Sequence, residues 1–444
     1  MKKLLLYTLG IVVSFNVAGQ QNSPWCGTDY QLELALKNDP SLASRLHQSV
    51  LNATTNNLQK DVAALKIIPV VVHVLHDNGI GNISNAQIQN ALDVLNTDYN
   101  RLNADTTDTR DTPTAPFKPY ASSMEVEFKL AKIDPNGNCT SGIVRVNAPN
   151  TTYNVDESAQ PHKHTALGGS DAWPRDKYFN IWVVNSIGPG GGATFIAGYA
   201  QFPYLGTADE YGLVIMQSMM GTIETAAGQT GRVLTHEVGH CLGLFHIFQG
   251  PFFGGGTGCH TTDCTANGDY CCDTPPQAAE DFSCSQTLNT CPDIPVNDLY
   301  GFDAVDQIEN YMSYNSCQNM FSLDQASIME SIFVDYTWAT NLISGSNIIA
   351  TGVNMPDVLC QAAFSSDKTT ICAGNQIQFT DESFNMVSGW TWTFNGGTPL
   401  NSIDQNPSIT YNTPGLYEVT LTATDGVNND SEIKTGYVRV LSAS

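Results

Sequence analysis

Basic residues are scarce in this chain. Lysine and arginine together number 19 among 444 residues, against 43 aspartates and glutamates, so the formal net charge at pH 7 is −24. Nucleic acids and anionic membrane surfaces attract proteins through clustered positive charge. The composition therefore argues against either as a partner, and it fits a soluble secreted protein.

Long apolar runs are also missing. The run from Leu4 to Val13 is too short to cross a bilayer, and no later stretch approaches the required length. This run follows two lysines and precedes small residues at Ala18 and Gly19, which is the pattern of a secretory signal peptide. We therefore expect residues 1–19 to be removed and the mature chain to be extracellular. The 12 cysteines are then expected mainly in disulfides.

The rest of the chain divides by composition into parts. Residues 20–60 are polar and cannot bury a core alone. Between residues 61 and 345, apolar strand patterns mix with helical spacing, which predicts an α/β (α+β) domain with a mixed sheet and a helical layer. A linker at 346–360 is expected to lead into residues 361–444, where short alternating strands predict a small all-β sandwich.

The stretch VLTHEVGHCLGLFH carries the clearest chemistry. His236 and His240 share one helical face and can bind one zinc ion, while Glu237 is placed to take a proton from a water on the metal. Gly243 can adopt the left-handed conformation that ends a helix, which lets His246 return as the third ligand. We predict a catalytic zinc site. A degenerate site and a structural metal are the alternatives, although a structural site normally has a fourth protein ligand.

This stretch resembles the zinc motif of the metzincin metallopeptidases at every defined position. Metzincins also have a methionine turn beneath the metal, and ENYMSYNSCQNMF is similar to it. The resemblance makes Met312 the floor residue under the histidines and Tyr314 a donor to the developing oxyanion. From about Ile67 to Met329 the chain most resembles the pappalysin (ulilysin-like) metzincins, through IPVVVHVLH, GGATFIAGYAQFP and CCDTPP. This resemblance implies a metalloendopeptidase that cuts protein or peptide substrates.

Cys26 stands apart, because no other cysteine follows it until Cys139. In pappalysins, a propeptide cysteine in a Cys-Gly-Thr setting ligates the zinc of the zymogen, and WCGTD matches that setting. The resemblance implies that Cys26 closes the site from a propeptide at 20–60. Cleavage between about Asn52 and Lys66, which another protease could perform, would then activate the enzyme. A disulfide at Cys26 is the alternative, and Asp29 is a weaker candidate for the same role.

The same resemblance assigns most of the other cysteines. It implies two bridges of the pappalysin domain, a third inside the loop that follows the zinc motif, and a fourth in the last domain, namely Cys259–Cys291, Cys284–Cys317, Cys264–Cys272 and Cys360–Cys372. Cys139, Cys241 and Cys271 stay unassigned.

Pappalysins also hold structural calcium in the loop after the zinc helix. In this chain DCTANGDYCCDTPP supplies Asp263, Asp269 and Asp273, which are oxygen ligands of the kind that calcium prefers. An ordinary acidic loop would have much the same composition, so both interpretations stay open.

Acidic residues are absent between Met312 and Phe321. Ulilysin-type enzymes read a basic substrate residue with an acidic pocket wall near the methionine turn. That preference cannot be carried over to this chain, although Glu309 or Asp324 could contribute an acid.

Residues 361–444 resemble a polycystic-kidney-disease (PKD) repeat through WTWTFNGG and TPGLYEVTLTATDG. The aspartate usual in the turn of that family is missing, with Asn395 in its region. We therefore expect a spacer rather than a binding site.

Two functions follow from the sequence. The first is a secreted zinc endopeptidase made as a latent zymogen. The alternative is a catalytically inactive adhesion or binding protein built on a peptidase domain. All the residues named for catalysis are present, which favours the first.

Overall fold

The structure, a computed structural model, describes residues 26–39, 41–42, 65–188, 196–250, 258–259, 262–265, 267–291, 297–356 and 359–442. The expected signal peptide and most of the expected cleavage segment lie outside these residues. Within the described ranges, no helix is long and apolar enough to cross a membrane.

A mixed sheet forms the centre of the larger domain. Its strands are Lys66–His76 (β1), Val126–Leu130 (β5), Ile143–Asn147 (β6), Phe179–Val184 (β8), Gly198–Ala200 (β10) and Leu213–Met216 (β11). They run in the order β10-β11-β8-β1-β5, and β6 pairs with the second half of β1. β1 lies in the middle because its apolar residues are buried on both faces. β10 is the antiparallel edge strand.

Helices cover this sheet, as the apolar spacing predicted. Their bounds are Thr28–Asn38 (α1), Asn85–Tyr99 (α2), Arg232–Cys241 (α3), Leu323–Asp335 (α4), Thr337–Leu342 (α5) and Gly345–Ala350 (α6). Shorter strands pair outside the main sheet, and they are Asp111–Thr112 (β2), Ala115–Pro116 (β3), Ala121–Ser122 (β4), Thr152–Asn154 (β7), Ser186–Gly188 (β9) and Phe321–Ser322 (β12).

The edge of β5 is closed by two asparagines, one in α2 and one directly after it. Asn96 accepts a hydrogen bond from Phe128 N at 2.7 Å and donates one to Phe128 O at 3.0 Å. Asn100 makes the same pair of bonds with the backbone of Val126. Because an unpaired sheet edge can recruit another strand, these two amides protect the domain from edge-to-edge association.

The C-terminal domain is the predicted β-sandwich. Its strands are Phe364–Ser366 (β13), Thr370–Cys372 (β14), Asn375–Asp381 (β15), Gly389–Phe394 (β16), Gly397–Thr398 (β17), Asn401–Ser402 (β18), Ser408–Tyr411 (β19), Gly415–Thr424 (β20) and Asn429–Leu441 (β21). They form one sheet in the order β13-β15-β19-β17 and a second in the order β14-β21-β20-β16-β18. The two sheets enclose Trp392 and Phe394, whose rings stack at 5.5 Å.

The segment expected as a linker contains α6 and packs on the larger domain. Asn347 donates to Lys177 O at 2.9 Å, and Thr351 O accepts from the backbone of Lys132 and Ile133 at 2.9 and 3.0 Å. These contacts lead the chain along the larger domain towards the first strand of the sandwich.

This route explains why one expected disulfide is wrong. The structure joins Cys259 to Cys291, Cys264 to Cys272 and Cys284 to Cys317, the pairs that the resemblance implied. Cys360, however, is bonded to Cys139, with Cα atoms 5.9 Å apart, and not to Cys372. The packed linker brings Cys360 to the loop of Cys139, while Cys372 is exposed and outside any disulfide.

Native alkylation with iodoacetamide should therefore modify Cys372 while Cys26, Cys241 and Cys271 react only after unfolding, because these three thiols are buried. Peptide mapping without reduction should yield one peptide pair that joins Cys139 to Cys360. A pair that joins Cys360 to Cys372 would contradict this arrangement.

A buried histidine on β1 should make the protein sensitive to acid. His73 is fully buried between Ser170 Oγ at 2.8 Å and Asn180 Oδ1 at 3.1 Å, and burial lowers its pKa to about 4. On acidification, the histidine of the unfolded chain is therefore protonated at a higher pH than that of the folded protein. The free energy of unfolding contributed by His73 is fully present above pH 6.5 and is lost as the pH falls towards 4. At about 1.4 kcal/mol per pKa unit, the loss is about 3 kcal/mol.

His73→Gln should remove this part of the acid dependence, although it should also lower stability at neutral pH because the stacking on Trp182 is lost. Urea unfolding at pH 7, 5.5 and 4.5 measures the change. His164→Gln, at a part-exposed histidine, is the control and should leave the acid-dependent loss in place. An unchanged pH dependence in His73→Gln would refute the explanation.

Candidate metal centre and active site

Helix α3 and the turn after it bring three histidines together. His236 and His240 lie one helical turn apart on α3, and Gly243 then takes a φ of 96° that reverses the chain. A Cβ at Gly243 would also lie only 3.3 Å from Ile332 Cδ1. This turn returns His246 to the helix, so that the three Nε2 atoms lie 3.1 Å from one another.

The other ring nitrogen of each histidine has its own acceptor. His236 Nδ1 lies 2.7 Å from Tyr311 O, and His240 Nδ1 lies 2.7 Å from Leu244 O. His246 Nδ1 lies 2.9 Å from Asp29 Oδ2. A proton on each Nδ1 satisfies these contacts and leaves a lone pair on each Nε2.

Three lone pairs at this separation repel one another unless a cation lies between them. Burial lowers the pKa of His236 and His240 well below the usual range, with neighbouring histidines adding to the effect, so both rings stay neutral. Neutral imidazoles held by outer partners are the ligands that zinc uses in proteins. The three histidines therefore fit a zinc ion.

Cys26 adds a fourth ligand atom to this group. Its Sγ and the three Nε2 atoms lie within 4.8 Å of one another, and Sγ is 3.5 Å from both His240 Nε2 and Glu237 Oε2. Thr28 N donates to Sγ at 3.4 Å. Burial raises the pKa of the Cys26 thiol in the metal-free site, whereas a coordinated metal would favour the thiolate. In the structure Cys26 belongs to no disulfide.

Glu237 lies at the same centre, covered by the segment around Cys26. Its Oε2 accepts from Thr28 Oγ1 at 3.1 Å, and its Oε1 is buried without a hydrogen bond. Burial raises the pKa of Glu237 to about 8. A side chain at Gly198 would crowd Glu237, because a Cβ there would lie 3.0 Å from Glu237 Cγ. The motif predicted Glu237, but nothing in it predicted the contact from Thr28.

The segment around Cys26 lies along the edge strand β10. Cys26 and Gly198 form a parallel bridge, and Gly27 N donates to Gly198 O at 2.9 Å. One residue further, Ala200 N donates to Thr28 Oγ1 at 2.9 Å. Backbone groups of β10 beside the metal centre are therefore already hydrogen-bonded to this segment.

The methionine turn lies beneath the histidines. Met312 is fully buried, and its Sδ would lie 2.7 Å from a Cβ at Gly239, so only glycine fits there on α3. Tyr314 packs its ring 5.1 Å from the His246 ring, and its hydroxyl donates to Cys26 O at 3.5 Å. Burial raises the pKa of Tyr314, so its hydroxyl stays protonated and can donate.

Asp263, Asp269 and Asp273 do not form a group of metal-ligating side chains. The one group of metal-ligating side chains found among the described residues is Cys26 with the three histidines. Asp263 accepts instead from Thr265, at 2.9 Å from N and 2.7 Å from Oγ1. Asp269 and Asp273 are buried, and Asp273 Oδ1 has no hydrogen bond. Burial, with Asp324 nearby, raises the pKa of Asp273.

The two acids considered for recognition of a basic substrate residue both make bonds to other residues of the protein. Glu309 is buried in a two-pronged ion pair with Arg110, whose second bond joins Nη2 to Oε2 at 2.9 Å. Asp324 Oδ2 accepts from Cys272 N at 2.8 Å. Glu309 is therefore not free to read a basic substrate residue in this conformation, whereas Asp324 stays partly exposed.

A helix with two histidines, a glycine turn to a third histidine and a methionine turn beneath them define a metzincin metallopeptidase. Residues 166–334 match the sequence profile of the peptidase family described as pregnancy-associated plasma protein-A, and residues 361–438 match that of the PKD domain. This chain belongs to the pappalysin family of metzincins, with a PKD domain after the peptidase. The predicted family and enzyme class are thus confirmed.

Solved structures with a similar fold come from the same family. A Tannerella forsythia promirolysin mutant is 30% identical with a TM-score of 0.59, and the match covers 74% of this chain and 99% of that one. Tannerella forsythia mature mirolysin in complex with a cleaved peptide is 32% identical with a TM-score of 0.53, covering 66% and 100%. An extracellular metalloprotease of Arthroderma benhamiae is 27% identical over 304 residues, covering 66% of this chain and 81% of that protein.

Metal removal should destabilise the protein through these histidines. Chelation with 1,10-phenanthroline should lower the thermal midpoint by several degrees, because three buried lone pairs are then left facing one another, and added zinc should restore it. His246→Ala should melt at the same temperature with and without the chelator. Differential scanning calorimetry measures both, and a midpoint of the unsubstituted protein that ignores the chelator would argue against a metal at this centre.

Proposed function

We propose that this protein is a secreted zinc endopeptidase made as a latent zymogen. One observation carries the proposal: Cys26 Sγ lies within 4.8 Å of the three histidine Nε2 atoms and 3.5 Å from Glu237. The thiolate of Cys26 takes the position that a catalytic zinc site leaves open for water. Secretion is supported by the relatives, which are named extracellular metalloproteases.

His236, His240 and His246 would hold the zinc, which when bound polarises a carbonyl and makes water acidic near neutral pH. Release of Cys26 and Thr28 exposes Glu237 to water, which lowers its raised pKa, and its carboxylate then takes the proton of the attacking water and returns it to the leaving amine. Tyr314 donates its hydroxyl to the oxyanion that forms on the substrate carbonyl. Met312 supports the histidines from below. In the latent form, Thr28 and Cys26 occupy the space beside Glu237 that the water needs.

The same segment also occupies the edge that a substrate would use. A peptide can add to an exposed strand edge through backbone hydrogen bonds. Gly198 O and Ala200 N on β10 are bonded to Gly27 and Thr28 in the latent form. Release of the segment would free both groups for a peptide substrate. The family acts on peptides, and mature mirolysin is described in complex with one.

We further propose the division of the chain that the sequence predicted. A signal peptide at 1–19 and a prosegment at 20–60 precede the peptidase domain at 61–345, and the PKD domain spans 361–444. Activation requires cleavage between about Asn52 and Lys66, by the enzyme itself or by another protease.

We also propose that the loop after α3 holds a structural calcium ion, with Asp263, Asp269 and Asp273 as its candidate ligands. The support is the Asp273 Oδ1 atom, buried without a hydrogen bond, together with the desolvation of the Asp269 and Asp273 carboxylates. Asp263 and Asp269 accept hydrogen bonds from Thr265 and Thr274, which calcium would have to replace.

The decisive experiment follows the intact mass of residues 20–444 with zinc and calcium. The unsubstituted protein should shed a fragment that contains Cys26 and then cut casein. Glu237→Ala should stay whole, because the group that moves the proton is missing. Glu33→Ala, at an exposed position of α1, should mature at the unsubstituted rate.

Cys26→Ser should shorten the lag before casein cleavage, because the ligand that closes the site is weakened. If the unsubstituted protein stays whole, trace trypsin replaces the activating protease. Failure of the trypsin-cleaved protein to cut casein would favour the inactive binding protein instead.

A further inference from the structure

The three histidines of the metal centre differ in where their outer partners come from. The acceptors for His236 and His240 are the carbonyl groups of Tyr311 and Leu244, which remain in the mature enzyme. The acceptor for His246 is the carboxylate of Asp29, which lies in the prosegment. Activation would therefore remove the outer partner of one histidine and leave those of the other two.

Asp29 is held firmly in this place. It lies in the first turn of α1, directly after Gly27, whose N donates to Gly198 O, and Thr28, whose side-chain Oγ1 accepts from Ala200 N. Its Oδ2 contacts the fully buried His246 ring and its Oδ1 is buried without a hydrogen bond, while the Asp29 side chain as a whole is 38% exposed. Among the residues that the structure describes, His246 is the ion-pair partner found for this carboxylate.

His246 also has the greatest need of such a partner. It lies beyond the end of α3, after the Gly243 turn, whereas the other two histidines are part of the helix. Its ring is otherwise positioned by packing, stacked at 4.7 Å on Phe248 and edge-on to Tyr314. A carboxylate on Nδ1 both orients an imidazole ligand and makes its other nitrogen more basic.

We propose that Asp29 is a positioning residue for the metal. Acting through His246, it strengthens zinc binding in the latent form, independently of the thiolate of Cys26. The prosegment thus holds zinc at two points, and its removal leaves a mature site of lower zinc affinity. This inference rests on the proposed function only in that zinc occupies the three-histidine site.

Zinc affinity of the full-length zymogen tests the proposal. All proteins carry Glu237→Ala, so that the prosegment stays attached, and a chromogenic chelator competes for the metal. Asp29→Ala should weaken zinc binding about 10- to 100-fold, the usual cost of losing an outer partner of a ligand. Asp29→Asn should fall between this and the parent, because an amide oxygen still accepts the hydrogen bond but carries no charge. Glu33→Ala, on the same helix, should bind zinc like the parent.

Two further comparisons separate positioning of the metal from simple attachment of the prosegment. In a Cys26→Ser background, Asp29→Ala should still lower zinc affinity by a similar factor, because its path runs through His246. Cobalt(II)-loaded protein should show a shifted visible absorption in Asp29→Ala and an unchanged one in Glu33→Ala. After removal of the prosegment by trypsin, the Asp29→Ala and parent proteins should bind zinc equally.

Equal zinc affinity of the Asp29→Ala and parent zymogens would overturn the proposal. An effect that disappears in the Cys26→Ser background would overturn it too, because Asp29 would then merely hold Cys26 in place. Absence of zinc binding in the parent would overturn the proposed function as well, and this outcome is distinct from the other two.

Discussion

The rest of this structure depends on keeping three imidazole Nε2 atoms 3.1 Å apart in a buried space. Such an arrangement is unfavourable without a cation, so each ring must be held from outside. Behind His236, Tyr311 supplies the carbonyl group, and the hydroxyl of the same tyrosine donates to Asp98 at 2.9 Å. Asp98 also accepts from Thr235 on α3 at 2.8 Å, and thereby fixes the helix and the methionine turn relative to each other.

The prosegment completes this centre at several points. Cys26 adds a ligand atom, Thr28 donates to Glu237 Oε2, and Asp29 Oδ2 lies 2.9 Å from His246 Nδ1. Its backbone engages β10 at the same time. In the proposed zymogen, residues 26–29 thus contact the metal-binding histidines, Glu237 and the edge strand β10 together, which would let a short segment keep the enzyme latent.

The metal site could be predicted from the sequence because its spacing is set by local geometry. A helical turn separates His236 from His240, and a glycine in the left-handed conformation brings back His246; neither depends on distant parts of the chain. The strands β1 and β8 could also be predicted from the sequence, since both are mostly apolar runs that are buried on two faces.

Contacts between distant segments could not be read in this way. The Cys139–Cys360 bridge joins residues 221 apart, and it depends on how the linker packs on the larger domain. The contact of Asp29 with His246 depends on where the prosegment meets β10, although the quoted motif already contained the aspartate. The ion pair of Glu309 with Arg110 likewise arises from the meeting of two loops.

The Cys139–Cys360 bridge turns most of the peptidase domain and its linker into a closed covalent ring, from which the PKD domain extends. An endopeptidase at high local concentration cuts its own exposed loops, and a single nick inside this ring releases nothing. In an oxidising medium, a peptidase domain that has cut itself once inside the ring therefore stays covalently attached to the PKD domain. Reduction of the Cys139–Cys360 bridge would remove this covalent connection between the cleaved fragments.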